Sequence, residues 1–232
     1  MTSEADIGAV AALDDDLRRS MYWFIRRAAR PVTRDEAAGH AGISRKLAAF
    51  HLDKLVATGL LRAHYEHAGG IRRVGRAPKV YEPADIEVRV SIPERRHEIL
   101  AEILMQAVLT EATGESARDA TLRVAGDRGV ATGREIRERL RPGRLGAERT
   151  ITLLVVTLGE QGFEPARTAP ACLRLRNCPF HPLAAREPDL VCSLNHAYLT
   201  GLLRGLEADA VRADLAPAAG ECCVEINAGP DS

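Results

Sequence analysis

The chain has 232 residues, 46% of them apolar, and its formal charges cancel. This suits a globular protein with room for two small domains, or for one domain and a dimerising arm. No run approaches the roughly 18 consecutive apolar residues of a membrane span, and the acidic start MTSEADIGAV lacks the order of a signal peptide, so a cytoplasmic protein with no membrane partner is expected.

Charge is divided along the chain. Residues 17–80 carry 14 Lys and Arg against 4 Asp and Glu, which makes that segment +10 and the remainder −10. A basic lobe joined to an acidic one points to a polyanionic partner for the first part only. Three helical patterns fill that part. The first runs from about Asp15 to Ala29, with acids at its start, Arg26, Arg27 and Arg30 at its end, and Leu17, Met21, Phe24 and Ile25 as its apolar stripe. Thr33-Arg34-Asp35-Glu36 reads as a capping box opening a short second helix, and Gly42 supplies a turn. Ser44 is a suitable N-cap for a third helix to about Thr58. On it Ile43, Leu47, Phe50, Leu52, Leu55 and Val56 are read as apolar contacts. Arg45, Lys46, Ala49 and Lys54 then face outward, with His51 at the boundary. Strands are expected at Leu60–Tyr65 and Lys79–Glu82, joined by a Gly- and Arg-rich loop. Helix, short helix, turn, basic helix and basic hairpin make a winged helix-turn-helix.

Ile43-Ser44-Arg45, Phe50-His51-Leu52-Asp53-Lys54-Leu55 and Gly59-Leu60-Leu61 resemble winged-helix regulators of the ArsR type. By position, the resemblance implies that Ser44, Arg45, Lys46, Ala48, Ala49 and His51 face a double-stranded DNA operator. It also implies that Arg72, Arg73 and Arg76 lie in the wing.

After a Pro-bracketed linker, a helix is expected at 94–112, with a broad apolar face suited to homodimerisation. A Gly-interrupted helical stretch follows at 116–139, and another helix at 148–161. Beyond Gly162 the expected order is two strands, a short helix at 182–186, a longer one to about Leu206, and two strands at Val211–Leu215 and Cys222–Ile226. The fold class is therefore mostly α with small α+β parts. A winged helix-turn-helix at 1–84 is followed by dimerisation helices at 85–161 and a C-terminal α+β cysteine-containing domain at 162–232.

All five cysteines, 172, 178, 192, 222 and 223, fall in that last region. An odd count argues against a simple disulfide framework. Cys178 at a strand end and Cys192 in the first turn of a helix have free backbone N–H groups nearby, which favour thiolate. Strand alternation turns Cys222 inward and Cys223 outward, so Cys178, Cys192 and Cys222 are nominated to converge, with Cys223 as a substitute if the strand bulges. His181 and His196 are near enough in sequence for a mixed zinc site.

Asn177-Cys178-Pro179-Phe180-His181, Pro188-Asp189-Leu190-Val191-Cys192 and Glu221-Cys222-Cys223-Val224 resemble the C-terminal domain of SufR-type regulators. That resemblance implies a homodimeric repressor with an iron–sulfur cluster, of the 4Fe-4S kind, as cofactor, on metal ligands Cys178, Cys192, Cys222 and Cys223. The chain departs from the pattern in lacking a cysteine a few residues before the Cys-Pro pair, where only Cys172 stands, six residues earlier. Zinc, a thiol-redox switch or a small-molecule pocket are the alternative signals. No GxSxG, P-loop, HExxH or dinucleotide fingerprint is present, so an enzyme is not expected.

Overall fold

A computed structural model describes residues 2–66, 77–218 and 220–229. The chain is mixed α and β, with two small antiparallel sheets, and it divides into two compact units, Thr2–Val90 and a second from Ser91 onward. The helices expected to form a separate region at 85–161 share one core with the cysteine region, so the three-part division becomes two.

The first unit opens on a helix the sequence pattern did not suggest, α1 (Glu4–Ala12), started by a reciprocal Ser3–Asp6 capping box. Next come α2 (Asp16–Ala28), β1 (Val32–Thr33), α3 (Arg34–Ala41), α4 (Arg45–Ala57), β2 (Leu61–Tyr65) and β3 (Lys79–Pro83). The expected caps form. Thr33 N–H donates to Glu36 Oε2 at 2.8 Å, Glu36 N–H donates to Thr33 Oγ1 at 3.3 Å, and Leu47 N–H donates to Ser44 Oγ at 3.2 Å. Gly42 ends α3 with φ +63°, a left-handed conformation that costs a glycine little. The three strands lie in the order β1-β3-β2, with Val32 opposite Tyr81 and Leu61 opposite Pro83. Met21, Ile25, Leu52, Leu55 and Tyr81 fill the core beneath them.

The second unit contains α5 (His97–Leu109), α6 (Ala117–Leu140), α7 (Ala147–Gly159), β4 (Pro165–Ala169), β5 (Cys172–Leu175), α8 (Leu183–Arg186), α9 (Pro188–Gly205), β6 (Val211–Leu215) and β7 (Val224–Ala228). Its sheet runs β4-β5-β7-β6, antiparallel throughout. The glycines expected to interrupt α6 do not break it, and the helix is continuous over 24 residues. They serve packing instead. A Cβ on Gly129 would run into the backbone of Tyr198, and one on Gly133 into the backbone of Leu202. From the other side, Gly201 meets the backbone of Gly126 and Gly205 that of Val130. Alternating glycines thus bring α6 and α9 into backbone contact, and no larger residue fits at those four positions.

The last strand also departs from expectation. It begins at Val224, so Cys222 and Cys223 sit in the turn before it, and both are buried. The inward-and-outward alternation expected of them does not apply, because neither is in the strand.

Candidate functional site

Helix α4 presents a different face from the one its hydrophobic pattern suggests. Its buried residues are Ala48, His51, Leu52 and Leu55. Ala48 is 0% and His51 6% exposed, so neither can face DNA. Ala48 is small enough to sit at a tight helix contact, and the His51 ring follows it inward, its Nδ1 3.7 Å from Asp15 Oδ1. Ser44, Arg45, Lys46 and Lys54 are exposed and Ala49 is half-buried. Leu47 and Phe50, expected in the core, are 40% and 54% exposed. Arg45 forms an ion pair with Asp35. Arg72, Arg73 and Arg76, expected in a wing, lie outside the described residues.

In the second unit, four of the five thiols gather beside one cavity of about 470 Å³. Cys178, Cys192 and Cys223 line it with Arg95, Asn177 and His181. Cys222 lies behind the wall, 1% exposed, with its thiol in contact with those of Cys178 and Cys223. Cys223 also touches Cys192. The elements explain the convergence. Cys178 follows the end of β5, Cys192 stands on α9, and the Cys222 N–H donates to Leu175 O at 2.8 Å, which ties the turn before β7 to β5.

Polar residues that sequence reasoning did not single out hold this arrangement. The buried Asn177 amide donates to Glu94 O at 3.0 Å and to Gly162 O at 2.6 Å, and its Oδ1 accepts from Arg95. Arg95 also donates to Cys178 O at 3.1 Å. Asn195 is 0% exposed; its Nδ2 donates to Cys222 Sγ at 3.1 Å and its Oδ1 has no partner. Only the position of Asn195 three residues after Cys192 on one helix could have drawn attention to it.

The expected thiolate bias does not hold. Contact with Cys222 and burial push the Cys178 thiol well above its ordinary range. Contact from Cys178 favours thiolate at Cys222, yet the neighbouring Cys223 thiol and burial push it up to about 12. Burial raises Cys192 as well. Desolvation and like neighbours outweigh nearby backbone N–H groups.

The remaining candidates stand apart. Cys172 donates from Sγ to Glu225 Oε1 at 2.8 Å and accepts from Thr168 at 3.0 Å, away from the cavity. His196 is engaged with Ala213 O at 3.0 Å, whereas His181 borders the cavity. Among the described residues, no three His, Cys, Asp or Glu side chains form a group that could hold a metal ion. The thiols meet as protonated neighbours rather than as a single-ion cage, which disfavours a preformed zinc site. In kind and number, four thiols at one cavity match the thiolate set of an iron–sulfur cluster.

On α5, Leu100, Ile103 and Ala107 are buried, while Leu104, Met105, Val108 and Leu109 are exposed. No helix among the described residues is long and apolar enough to cross a membrane.

No known family model matches the chain, and no curated protein matches it.

Proposed function

We propose that the protein is a DNA-binding transcriptional regulator, acting as a homodimer, in which the thiol site of the second unit sets affinity for an operator. The observation that carries this reading is the exposed basic face of α4, introduced by α3 and the Gly42 turn, within a segment of charge +10. Element order and strand order in the first unit, α2-β1-α3-α4-β2-β3 with strands β1-β3-β2, correspond to a winged helix. In that arrangement the helix equivalent to α4 enters the major groove. The exposed apolar face of α5 suits a two-fold partner, as paired half-sites require.

Cys178, Cys192, Cys222 and Cys223 would hold a 4Fe-4S cluster, which supplies an oxidation-sensitive iron centre when bound. The chain's own residues do the positioning. Asn195 directs an N–H at the Cys222 sulfur, and Arg95 with Asn177 fixes the Cys178 segment. Control of operator affinity then requires a difference in DNA-binding free energy between two dimer shapes.

Anaerobic purification tests the cluster. A brown protein containing iron and acid-labile sulfide is expected, with operator affinity that changes on exposure to air. A colourless, iron-free protein with intact DNA binding would overturn the cluster and leave the regulator. Stoichiometric zinc without sulfide would replace one metal reading with another. Failure to enrich any duplex from a random-sequence pool would overturn DNA binding itself.

A further inference from the structure

We propose that Leu47 and Phe50 read the 5-methyl groups of thymines in the major groove, which makes them specificity-determining residues of α4. The inference rests on the DNA-binding reading above.

Both are large apolar side chains that the protein's own core does not use. The buried face of α4 is complete without them, formed by Ala48, His51, Leu52 and Leu55. At 3.6 residues per turn, Phe50 stands one turn after Lys46 and one turn before Lys54, at the middle of the exposed face. Leu47 lies beside it in the first turn, next to Ser44 and Arg45. The patch is therefore apolar at its centre and basic at both ends, which complements a base edge flanked by two phosphate strands. A protein partner would find three cations around a small apolar centre, a poor match for an ordinary interface, whose core is depleted of charge.

Leucine and phenylalanine cannot hydrogen-bond a base. In the major groove, thymine alone among the four ordinary bases presents an apolar group, its C5-methyl, and contact with it is the readout open to such side chains. The cations fix register on the backbone without reading sequence. Sequence preference from this face then falls on thymine-containing steps, and it arises from removal of apolar surface from water.

The test uses the full chain and the tightest-binding duplex selected from a random-sequence pool, remade with deoxyuridine in place of each thymine in turn. Deoxyuridine keeps the hydrogen-bonding pattern and lacks only the methyl. Wild-type protein is expected to lose about fourfold in affinity for each contacted methyl, the value of one buried CH₂ group. Phe50→Ala and Leu47→Ala proteins are expected to bind the thymine duplex more weakly and to lose that sensitivity, each at its own positions. Both residues are exposed, so the variants are expected to fold, and circular dichroism checks this. Equal wild-type affinity for the thymine and deoxyuridine duplexes overturns the proposal, as does sensitivity that persists in both variants. If Phe50→Ala alters the oligomeric state seen by light scattering without DNA, the face belongs to a second copy and the proposal fails. If no duplex is enriched at all, it is the DNA-binding reading that falls.

Discussion

At the scale of single residues, the thiol site shows which groups the chain tolerates at a loss. Asn195 buries an amide whose Oδ1 is unpartnered and whose N–H is directed at a sulfur. A thiol is a weak acceptor, and an orphaned buried oxygen costs about 1–3 kcal/mol. Asn195→Leu is therefore expected to raise the melting temperature of the metal-free protein by a few degrees, at roughly 2–4 °C per kcal/mol. The same variant is expected to release iron faster once loaded, because the sulfur loses its donor. Calorimetry and a chelator-release assay measure the two effects, and a lowered melting temperature would show that the amide serves the fold. A second residue-scale expectation concerns acid. Arg30 and the Thr33 cap hold Glu36 down to about 2, against an ordinary value of about 4.3. A depressed carboxylate contributes stability that is present above its unfolded pKa and is lost as pH falls toward the folded one. Glu36→Gln should accordingly flatten the stability profile of the protein between about pH 5 and pH 2, as read by denaturant titration at each pH.

Helix α4 shows why some of this was legible in the sequence and some was not. Caps and turns depend on local chemistry, so Ser44, the Thr33–Glu36 pair and Gly42 could be placed before any coordinates. The buried face could not, because Ala48 is selected for its small size at a close contact while the larger Leu47 and Phe50 remain in solvent. Hydrophobicity alone ranks these residues in the wrong order.

At the scale of elements, α6 and α9 make the same point with glycine. Glycine usually weakens a helix by up to about 1 kcal/mol relative to alanine, and three of them read as interruptions. Their purpose depends on a partner helix about 70 residues further on, which no local pattern encodes. The pair offers an internal control. A Cβ on Gly126 would lie 3.7 Å from Ala197 O, in ordinary contact, whereas one on Gly129 would overlap the backbone of Tyr198. Gly126→Ala is expected to be neutral or to stabilise by up to about 1 kcal/mol. Gly129→Ala is expected to destabilise by about 1–3 kcal/mol or more. Equal effects of the two in urea denaturation would contradict the packing described. The turn before β7 was obscured for a related reason: Cys222 and Cys223 continue the apolar run of the strand, although the ladder with β6 begins only at Val224.

At the scale of the whole molecule, the uneven charge distribution and the division into two units were within reach of the sequence. The merging of the middle helices with the cysteine region was not. Both segments are apolar, and only their contacts show that Ile103, Ile151 and Leu202 belong to one core. What the merged unit leaves uncovered is the face of α5 bearing Leu104, Met105, Val108 and Leu109. Val108→Glu places a charge at its centre and is expected to convert the proposed dimer to monomer in multi-angle light scattering. DNA affinity should fall with it, since a monomer engages one half-site. A variant that remains dimeric would move the interface elsewhere.

The backbone contact between α6 and α9 has a mechanical consequence. Two helices in register at four glycines cannot shear past one another, so they act as a single beam, about 36 Å long at 1.5 Å per residue over α6. Cys192 and Asn195 sit toward one end of that beam, and Gly133 and Gly205 toward the other. A disturbance at the sulfur end is then delivered at the far end as a tilt, with the leverage of the whole length. Amide hydrogen exchange should accordingly show α6 and α9 opening together, as one cooperative block.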